Sequence, residues 1–194
     1  MSEAQMTIRP ATLADAEILR DIYAPYVEET AVSFEYTVPT VAEFTERMKD
    51  IMKRYPYLVA EEAGEAVGYA YASPFHEREA YSWSAELTVY LRKDQRGRGR
   101  GRLLYEKLEQ ILRAQNITNL YACIAWPEQE DEYLTGASAR FHERMGFRLA
   151  GTFHRCGYKF GRWYSMVWME KEIGTRREKQ PPVKSFSEVK EQIW

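Results

Sequence analysis

The sequence predicts one α/β domain whose mixed sheet is mostly antiparallel and carries helices on both faces. The first observation is length, because 194 residues fit one soluble domain. The second is the order of periodic segments, which reads β-α-α-β-β-β-α-β-α-β-β along the chain. The third is composition, since 45% hydrophobic and 29% charged residues are typical of a globular protein rather than a disordered or membrane protein.

The N-terminal half of the chain predicts a strand, two helices and a hairpin. Thr12 and Thr40 each stand three residues before an acidic side chain, at the start of helically spaced apolar residues, which is the signature of a helix N-cap. Gly64 separates two strand-like runs and predicts a hairpin turn. The predicted elements are a strand at 6–9, a helix opening at Thr12, a loop or irregular strand at 31–39, a helix from Thr40 to about Met52, and hairpin strands at 57–62 and 66–73.

The C-terminal half predicts four strands and two helices, followed by a segment of different composition. Leu104, Leu108 and Leu112 share one face of a strong helix. The predicted elements are a strand at 84–91, a helix at 101–115, a strand at 119–125, a helix at 137–145, and closing strands at 147–153 and 163–170. We place one domain at 1–174 and a C-terminal extension at 175–194. The extension joins a polar linker to apolar residues, so it is either a docking segment or a flexible tail.

Charge and cysteine usage exclude several classes of function. Lys and Arg number 27 and Asp and Glu 29, so the net charge of −2 gives no global basic field for nucleic acid. Cys123, Cys156 and the three histidines show neither a disulfide framework nor zinc-site spacing, so we expect no metal. The N-terminus has no signal-peptide pattern, and the apolar runs are too short for a bilayer. We expect a soluble cytoplasmic protein without nucleic-acid or membrane partners.

An alternating run lies between a predicted strand and the strongest predicted helix: Arg96, Gly97, Arg98, Gly99, Arg100 and Gly101. Free amides at a helix N-terminus attract phosphate, glycines permit positive φ, and arginines add phosphate contacts. A dinucleotide fingerprint starting at Gly97 would need its third glycine at Arg102, and no P-loop spacing is present. The run is also too short for a disordered RNA-binding tract. The remaining pattern, R-x-x-G-x-G, binds the pyrophosphate of coenzyme A, with Arg102 as a further contact and a purely structural loop as the alternative.

Several further segments carry a resemblance to a known family. They are residues 55–61, 68–72, 80–91, 138–147 and 157–163. On these segments and the glycine loop, the chain resembles the GNAT acyltransferase superfamily and, within it, the phosphinothricin N-acetyltransferases, from about Met6 to Ile173. The resemblance implies a sheet splayed between its central strands, with acetyl-CoA in the split. It also implies a homodimer that acetylates the α-amine of phosphinothricin, methionine sulfoximine, methionine sulfone or a related amino acid.

Glu86 is the predicted general base. Attack on the thioester needs a neutral amine, so some group must accept a proton from the ammonium. Glu86 shares one strand face with Thr88 and Tyr90, and apolar neighbours would raise its pKa. The residues alone leave a surface or ion-paired glutamate open, and the resemblance places a proposed catalytic glutamate here. His142 is the predicted acid for the departing thiolate, with Tyr90 or water as rivals and a structural histidine as the alternative.

Backbone groups and pocket side chains complete the predicted site. A strand edge without a neighbour leaves amides and carbonyls for the pantetheine arm and the thioester oxygen. The predicted cofactor contacts beyond the loop are Val89, Tyr90, Leu91, Thr135 and Ser138. The predicted substrate contacts are Phe34, Arg78, Tyr81 and Tyr158. Arg78 suits a carboxylate or phosphinate, with a solvated loop arginine as the alternative.

Three departures from the family bear on substrate choice. His76 and Glu35 stand where relatives often carry basic residues. An acidic insertion at 128–134 forms either a solvated loop or a lid over a cationic amine. These departures weaken the expectation of a strongly anionic substrate.

The sequence therefore predicts an N-acetyltransferase that acts by direct attack on acetyl-CoA in a ternary complex. Neither Cys123, on an apolar strand, nor Cys156, beside a turn, is set up as a covalent carrier. One alternative is acetylation of a peptide N-terminus or a polyamine, which a wide acidic groove would favour. The other is a non-catalytic module that binds coenzyme A without turnover.

Overall fold

A computed structural model of the protein describes residues 6–194. The strands are β1 (Thr7–Pro10), β2 (Tyr57–Glu62), β3 (Glu65–Pro74), β4 (Ser84–Leu91), β5 (Asn119–Trp126), β6 (Arg148–Lys159) and β7 (Arg162–Glu172). The α-helices are α1 (Ala16–Glu28), α2 (Val41–Met52), α3 (Arg100–Ala114), α4 (Ala137–Arg144) and α5 (Phe186–Val189). One sheet has the order β1-β2-β3-β4-β5-β7-β6, and of these neighbours only β4 and β5 run parallel. The predicted α/β fold is confirmed.

The sheet is split between β4 and β5. Their parallel pairing ends where Glu86 lies opposite Tyr121. Beyond that point β4 stays paired with β3 as far as Leu91, while β5 stays paired with β7 as far as Trp126. The central strands therefore diverge, as the resemblance implies.

Helices cover both faces of the sheet. On one face, Leu104 and Leu108 of α3 belong to the largest core cluster. On the other, Leu19 of α1 and Met48 of α2 form a second cluster with Tyr69 of β3. Burial of these two apolar layers is what holds the helices to the sheet. Among residues 6–194, no helix has the length and apolar character needed to cross a membrane.

Most predicted elements begin within one residue of the observed ones, and β6 differs most. Its predicted end at Phe153 is wrong, because the strand continues to Lys159. A register shift between Phe153 and Gly157 marks a bulge in which Arg155 has a φ of 47°. A bulge interrupts the alternation from which a strand is predicted. The segment 31–39 forms a loop without strand pairing.

The C-terminal extension is docked on the domain. Val189 of α5 is completely buried in the core cluster that contains α3. The Gln115 side chain donates to the Lys184 carbonyl at 2.8 Å, and Trp83 Nε1 donates to the Pro181 carbonyl at 2.8 Å. Residues 175–194 therefore form a docking segment in the structure rather than a flexible tail. The extension thus shares its core with the residues that precede it.

Candidate active site

Glu86 lies where the split in the sheet opens. It is the last residue of β4 that pairs with β5. No hydrogen bond or ion pair joins its carboxyl group to the rest of the described chain, and burial raises the pKa of Glu86 above its ordinary value. A partly desolvated carboxylate without a charged partner suits a general base whose pKa must approach neutral pH.

The edge of β4 that faces the split presents open backbone groups at Val89. The amide of Arg92 donates to the Val67 carbonyl of β3 at 3.0 Å, so Val89 and Leu91 direct their backbone groups away from β3. At Leu91 both groups are occupied, because the Tyr26 hydroxyl accepts from the amide at 3.1 Å and donates to the carbonyl at 2.6 Å. Val89 therefore provides the available amide and carbonyl on this edge.

The loop between β4 and α3 leaves a cradle of backbone amides without acceptors in the helix. Gly97 and Gly99 have φ values of 74° and 78°, as predicted from the glycine pattern. Gly99 is the N-cap of α3, and the first helical bond runs from the Leu103 amide to the Gly99 carbonyl at 3.1 Å. The amides of residues 100–102 consequently have no acceptor within the helix. Such a terminus binds anions through its amides and the positive end of the helix dipole.

The arginines around this loop fall into two groups. Within residues 6–194, neither Arg96 nor Arg98 forms an ion pair, and the Arg96 guanidinium lies 4.6 Å from the centre of the Tyr26 ring. By contrast, Arg100 is buried and paired with Glu62, and Arg102 pairs with Glu106 on the helix surface. The open positive charge beside the amides therefore comes from Arg96 and Arg98. The side chains of Arg100 and Arg102 are already occupied, which leaves their amides as possible phosphate contacts.

His142 of α4 is buried and neutral. Its Nδ1 lies 2.8 Å from the Ser138 carbonyl, so we assign the ring proton to Nδ1. Nε2 then accepts from the Tyr105 hydroxyl at 3.0 Å. Burial lowers the pKa of His142 to about 4. Both ring nitrogens are therefore occupied, in a histidine that is uncharged at neutral pH.

Thr135 lies just before α4, and its hydroxyl accepts a long bond of 3.4 Å from the Ala137 amide. The predicted contacts of Thr135 and Ser138 with the cofactor thus come from the N-terminal end of α4, and both contacts remain predictions. Tyr105 was missed from the sequence. Its position on the apolar face of α3 gave no sign that its hydroxyl meets His142.

Comparison with known families matches residues 8–168 to the family described as "Acetyltransferase (GNAT) domain". The chain belongs to the GNAT acetyltransferase family. This confirms the resemblance drawn from the sequence.

Named relatives of this GNAT enzyme agree with the assignment. Phosphinothricin N-acetyltransferase of Streptomyces viridochromogenes is 35% identical over 166 residues, which are 86% of this chain and 87% of that protein. L-methionine sulfoximine/L-methionine sulfone acetyltransferase of Pseudomonas aeruginosa is 33% identical over 176 residues, 88% of this chain and 96% of that protein. The crystal structure of a phosphinothricin acetyltransferase from Sinorhizobium meliloti, in complex with AcCoA, has a TM-score of 0.82 and 31% identity, covering 93% of this chain and 98% of that one. The chain is an N-acetyltransferase with the GNAT fold.

Two of the predicted substrate residues of this GNAT enzyme meet at β6. Phe34, in the loop between α1 and α2, packs on Gly157, where an added Cβ would lie 2.3 Å from the Phe34 ring. The Tyr36 hydroxyl donates to the Tyr158 carbonyl next along the strand. The structure therefore brings Phe34 and Tyr158 together.

The other two predicted substrate residues lie in the connection between β3 and β4. The Tyr81 ring is 5.7 Å from the Phe75 ring, and Phe75 stacks on Tyr121 at 4.0 Å. Tyr121 lies opposite Glu86 in the β4–β5 register, so Phe75 connects Tyr81 to the residue that pairs with Glu86. Arg78 is exposed, and it has no ion pair within the described range.

Of the departures from the family pattern, Glu35 and the acidic insertion are paired with nearby arginines, whereas His76 packs against the Phe75 and Tyr81 rings. The Glu35 carboxylate pairs with Arg47 at 2.7 Å and accepts from the Tyr23 hydroxyl at 3.1 Å. The acidic insertion is likewise paired: Glu128 with Arg155, Glu130 with Arg140, and Asp131 and Glu132 with Arg162. The insertion is thus a charge-paired connector rather than a lid with free carboxylates. In the part of the chain that the structure describes, no three His, Cys, Asp or Glu side chains form a metal site.

Lys159 was also missed as a site residue, although it stands in the segment 157–163 that carries the family resemblance. The structure buries its side chain and surrounds the ammonium group with backbone carbonyls. Burial lowers the pKa of Lys159. We refer to residues 30–36, 128–134 and 155–164, which these contacts connect, as the rim.

Proposed function

We propose that this enzyme transfers acetyl from acetyl-CoA to the primary amine of a small amino-acid-like substrate, by direct attack in a ternary complex. The observation that carries the proposal is the unpartnered Glu86 carboxyl group at the split. It lies on the strand that presents the open Val89 edge, and this strand leads into the amide cradle at 96–101. The activities for which the relatives are named support a substrate of the phosphinothricin, methionine sulfoximine or methionine sulfone type.

Glu86 is the group that accepts the amine proton in this proposal. The substrate ammonium is mostly charged at neutral pH, so it must lose a proton before attack. A carboxylate whose pKa is raised by burial takes that proton more readily than an exposed one. The Val89 amide donates to the thioester oxygen as negative charge develops there.

The thiolate that leaves must then be protonated. Tyr90 is a poor donor, because its ring packs among Tyr23 and Tyr26 on the α1 face and burial raises its pKa well above the ordinary value. His142 is neutral, with its one ring proton bonded to Ser138. Water is therefore the donor that this geometry favours, and His142 holds the Tyr105 hydroxyl in place.

Direct attack is supported by the state of the two thiols. Cys123 is exposed on β5, and within residues 6–194 no hydrogen bond or cationic side chain stabilises its thiolate, so it is a thiol rather than a nucleophilic thiolate at neutral pH. Cys156 is exposed on the bulge of β6, away from any motif that would activate it. A covalent acetyl-cysteine intermediate is therefore not part of the proposal.

The charges around the site favour a small zwitterionic substrate over a polyamine. Arg78 presents an exposed guanidinium group that has no ion pair among residues 6–194, which suits a carboxylate or phosphinate. The carboxylates of the insertion are paired with arginines, so they do not form an open acidic groove. Acetylation of a polyamine or a basic peptide would need such a groove.

We also propose a cytoplasmic homodimer that forms through β6. This strand is at the edge of the sheet and exposes Leu149 and Phe153, which are 62% and 54% accessible. Exposed apolar side chains on an unpaired edge favour association with a second strand.

Thiol release from acetyl-CoA tests the proposed activity. The amine panel contains phosphinothricin, methionine sulfoximine, methionine sulfone, common amino acids, polyamines and short peptides. We expect turnover on the phosphinate or sulfone compounds. Release with peptides or polyamines alone would keep the acetyltransferase and reject the substrate class. Binding of acetyl-CoA with no release on any amine would favour a non-catalytic module.

A further inference from the structure

Lys159, the last residue of β6, is a buried lysine whose ammonium group bonds three backbone carbonyls. Its side chain is inside the protein, with 3% of the residue accessible. The ammonium donates to the carbonyl oxygens of Val27, Thr30 and Ser33 at 2.7, 2.9 and 2.7 Å. Within residues 6–194 it forms no salt bridge with a carboxylate. All three donors of the ammonium are therefore used to hold one short stretch of chain.

That stretch is the end of α1 and the loop that follows it. The carbonyls of the last helical turn have no partner inside the helix, and a cation is favourable at this negative end of the dipole. Val27 lies in this turn, while Thr30 and Ser33 lie in the loop. By bonding all three carbonyls, Lys159 bends the chain around its ammonium group and fixes the loop on β6.

The next residue outward in the loop is Phe34, whose position depends on the same strand. Its ring sits on Gly157, two residues before Lys159, so closely that a Cβ at Gly157 would collide with it. The Tyr36 hydroxyl bonds the Tyr158 carbonyl between them. Phe34 keeps 38% of its surface accessible, so one side of the ring is packed and the other is open.

We propose that Lys159 is a positioning residue that holds Phe34 as a fixed wall of the amine site and thereby sets substrate specificity. This inference deepens the proposed function and depends on it for the kinetic effect. Lys159 does not touch the reacting atoms in this proposal. It acts through the loop, because an ammonium with three short bonds leaves the loop one conformation.

The test compares Lys159→Met with a matched control, Lys171→Met. Lys171 of β7 is also partly buried, and it donates to Glu109 and to the Met145 carbonyl, which lie in α3 and just after α4. We expect Lys159→Met to raise the KM of the amine about tenfold or more, since small misplacement of a positioning group has large effects. The KM of acetyl-CoA and the binding of acetyl-CoA stay unchanged. Lys171→Met lowers the melting temperature and leaves the amine KM unchanged.

A second variant tests the wall without removing the lysine. Gly157→Ala forces the Phe34 ring to move, so it reproduces the rise in amine KM while Lys159 keeps its bonds. It also keeps the test decisive if Lys159→Met does not fold. A further readout is hydrogen exchange of the amides at 29–36, which we expect to accelerate in Lys159→Met and not in Lys171→Met.

Two results would overturn the inference. One is an amine KM within twofold of wild type in both Lys159→Met and Gly157→Ala. The other is an equal rise in the KM of the amine and the KM of acetyl-CoA in Lys159→Met, which would indicate that the whole domain is less rigid. If the wild-type enzyme turns over no amine, the proposed function is rejected, and the role of Lys159 in positioning the loop is judged separately. Hydrogen exchange then decides whether Lys159 positions the loop, and unchanged exchange rejects it.

Discussion

The loop at 96–101 and the rim use their charges in opposite ways. Across the described residues 6–194, Arg96 and Arg98 of the loop form no ion pair, and they lie beside amides that have no acceptor in the helix. In the rim, each charged side chain has a partner within the protein, as Lys159 has its carbonyls and Arg162 its carboxylates. The difference indicates that the loop is prepared for an anionic ligand, whereas the rim uses charge to fix its own shape.

This contrast follows from how each ligand is recognised. The pyrophosphate of coenzyme A is the same in every reaction. Amides and unpaired arginines can bind it through charge and hydrogen bonds, without a pocket shaped to one substrate. A small amine substrate is recognised by the outline of its pocket, which requires a rigid wall. Paired charges and a buried lysine give that rigidity to a segment with little regular structure.

The largest effect should come from Glu86→Gln, where the pairing of β4 with β5 ends. We expect kcat to fall about a hundredfold or more, as for loss of a general base. The acidic limb of the wild-type kcat/KM profile should lie above the ordinary glutamate pKa, because burial raises it. Steady-state rates across pH check both statements. If the acidic limb of the kcat/KM profile is identical in wild type and Glu86→Gln, Glu86 is a structural residue and not the general base.

Although Glu86→Gln should lower kcat, it should not lower stability, and the melting temperature is therefore a control for correct folding of the variant. A carboxyl group whose folded pKa is raised binds more protons in the native state than in the unfolded state. Wild-type stability therefore decreases as pH rises from the unfolded pKa through the folded one. At neutral pH, Glu86→Gln should melt at the wild-type temperature or higher, and the difference should vanish near pH 4. A large drop in melting temperature at pH 7 would mean that the variant is misfolded rather than inactive.

Gly99→Val should affect the loop alone. Valine at a φ of 78° is strained although the surrounding space is open. We expect the KM of acetyl-CoA to rise about tenfold, the cost of one or two charged hydrogen bonds, with the amine KM unchanged. Gly161→Val is the matched control, since Gly161 in the rim hairpin has a φ of 74° and equally open space. If both variants raise the acetyl-CoA KM equally, backbone strain anywhere in the domain has that effect, and the loop is not special.

The two regions also differ in how far the sequence predicted them. The loop is contiguous, so its spacing and flanking elements were enough to predict positive φ at Gly97 and Gly99 and the helix that begins beside them. The rim combines three segments that are distant in the chain. Nothing in the sequence shows that Glu128 meets Arg155, or that Lys159 reaches the carbonyl of Val27.

The same distinction applies to the rest of the fold and site. Strand and helix starts follow from periodicity, whereas the length of β6 did not, because a bulge breaks its alternation. Glu86 can be predicted as a candidate base because strand alternation and family resemblance agree at one position. Two contacts could not be predicted: the Tyr26 hydroxyl with the Leu91 backbone, and the Tyr105 hydroxyl with His142. Each contact joins distant elements through a side chain whose sequence pattern indicates only a core residue.

The smallest effect should come from Glu128→Gln in the rim. Its ion pair with Arg155, at 2.8 Å, is exposed to solvent, and exposed pairs contribute little because water and salt screen them. We expect both KM values within about twofold of wild type and a melting temperature within about 2 °C. Arg96→Gln, an equally conservative change of a charge in the loop, should instead raise the KM of acetyl-CoA. A rise in amine KM in Glu128→Gln would show that surface pairs hold the pocket, and buried Lys159 would then lose its distinct role.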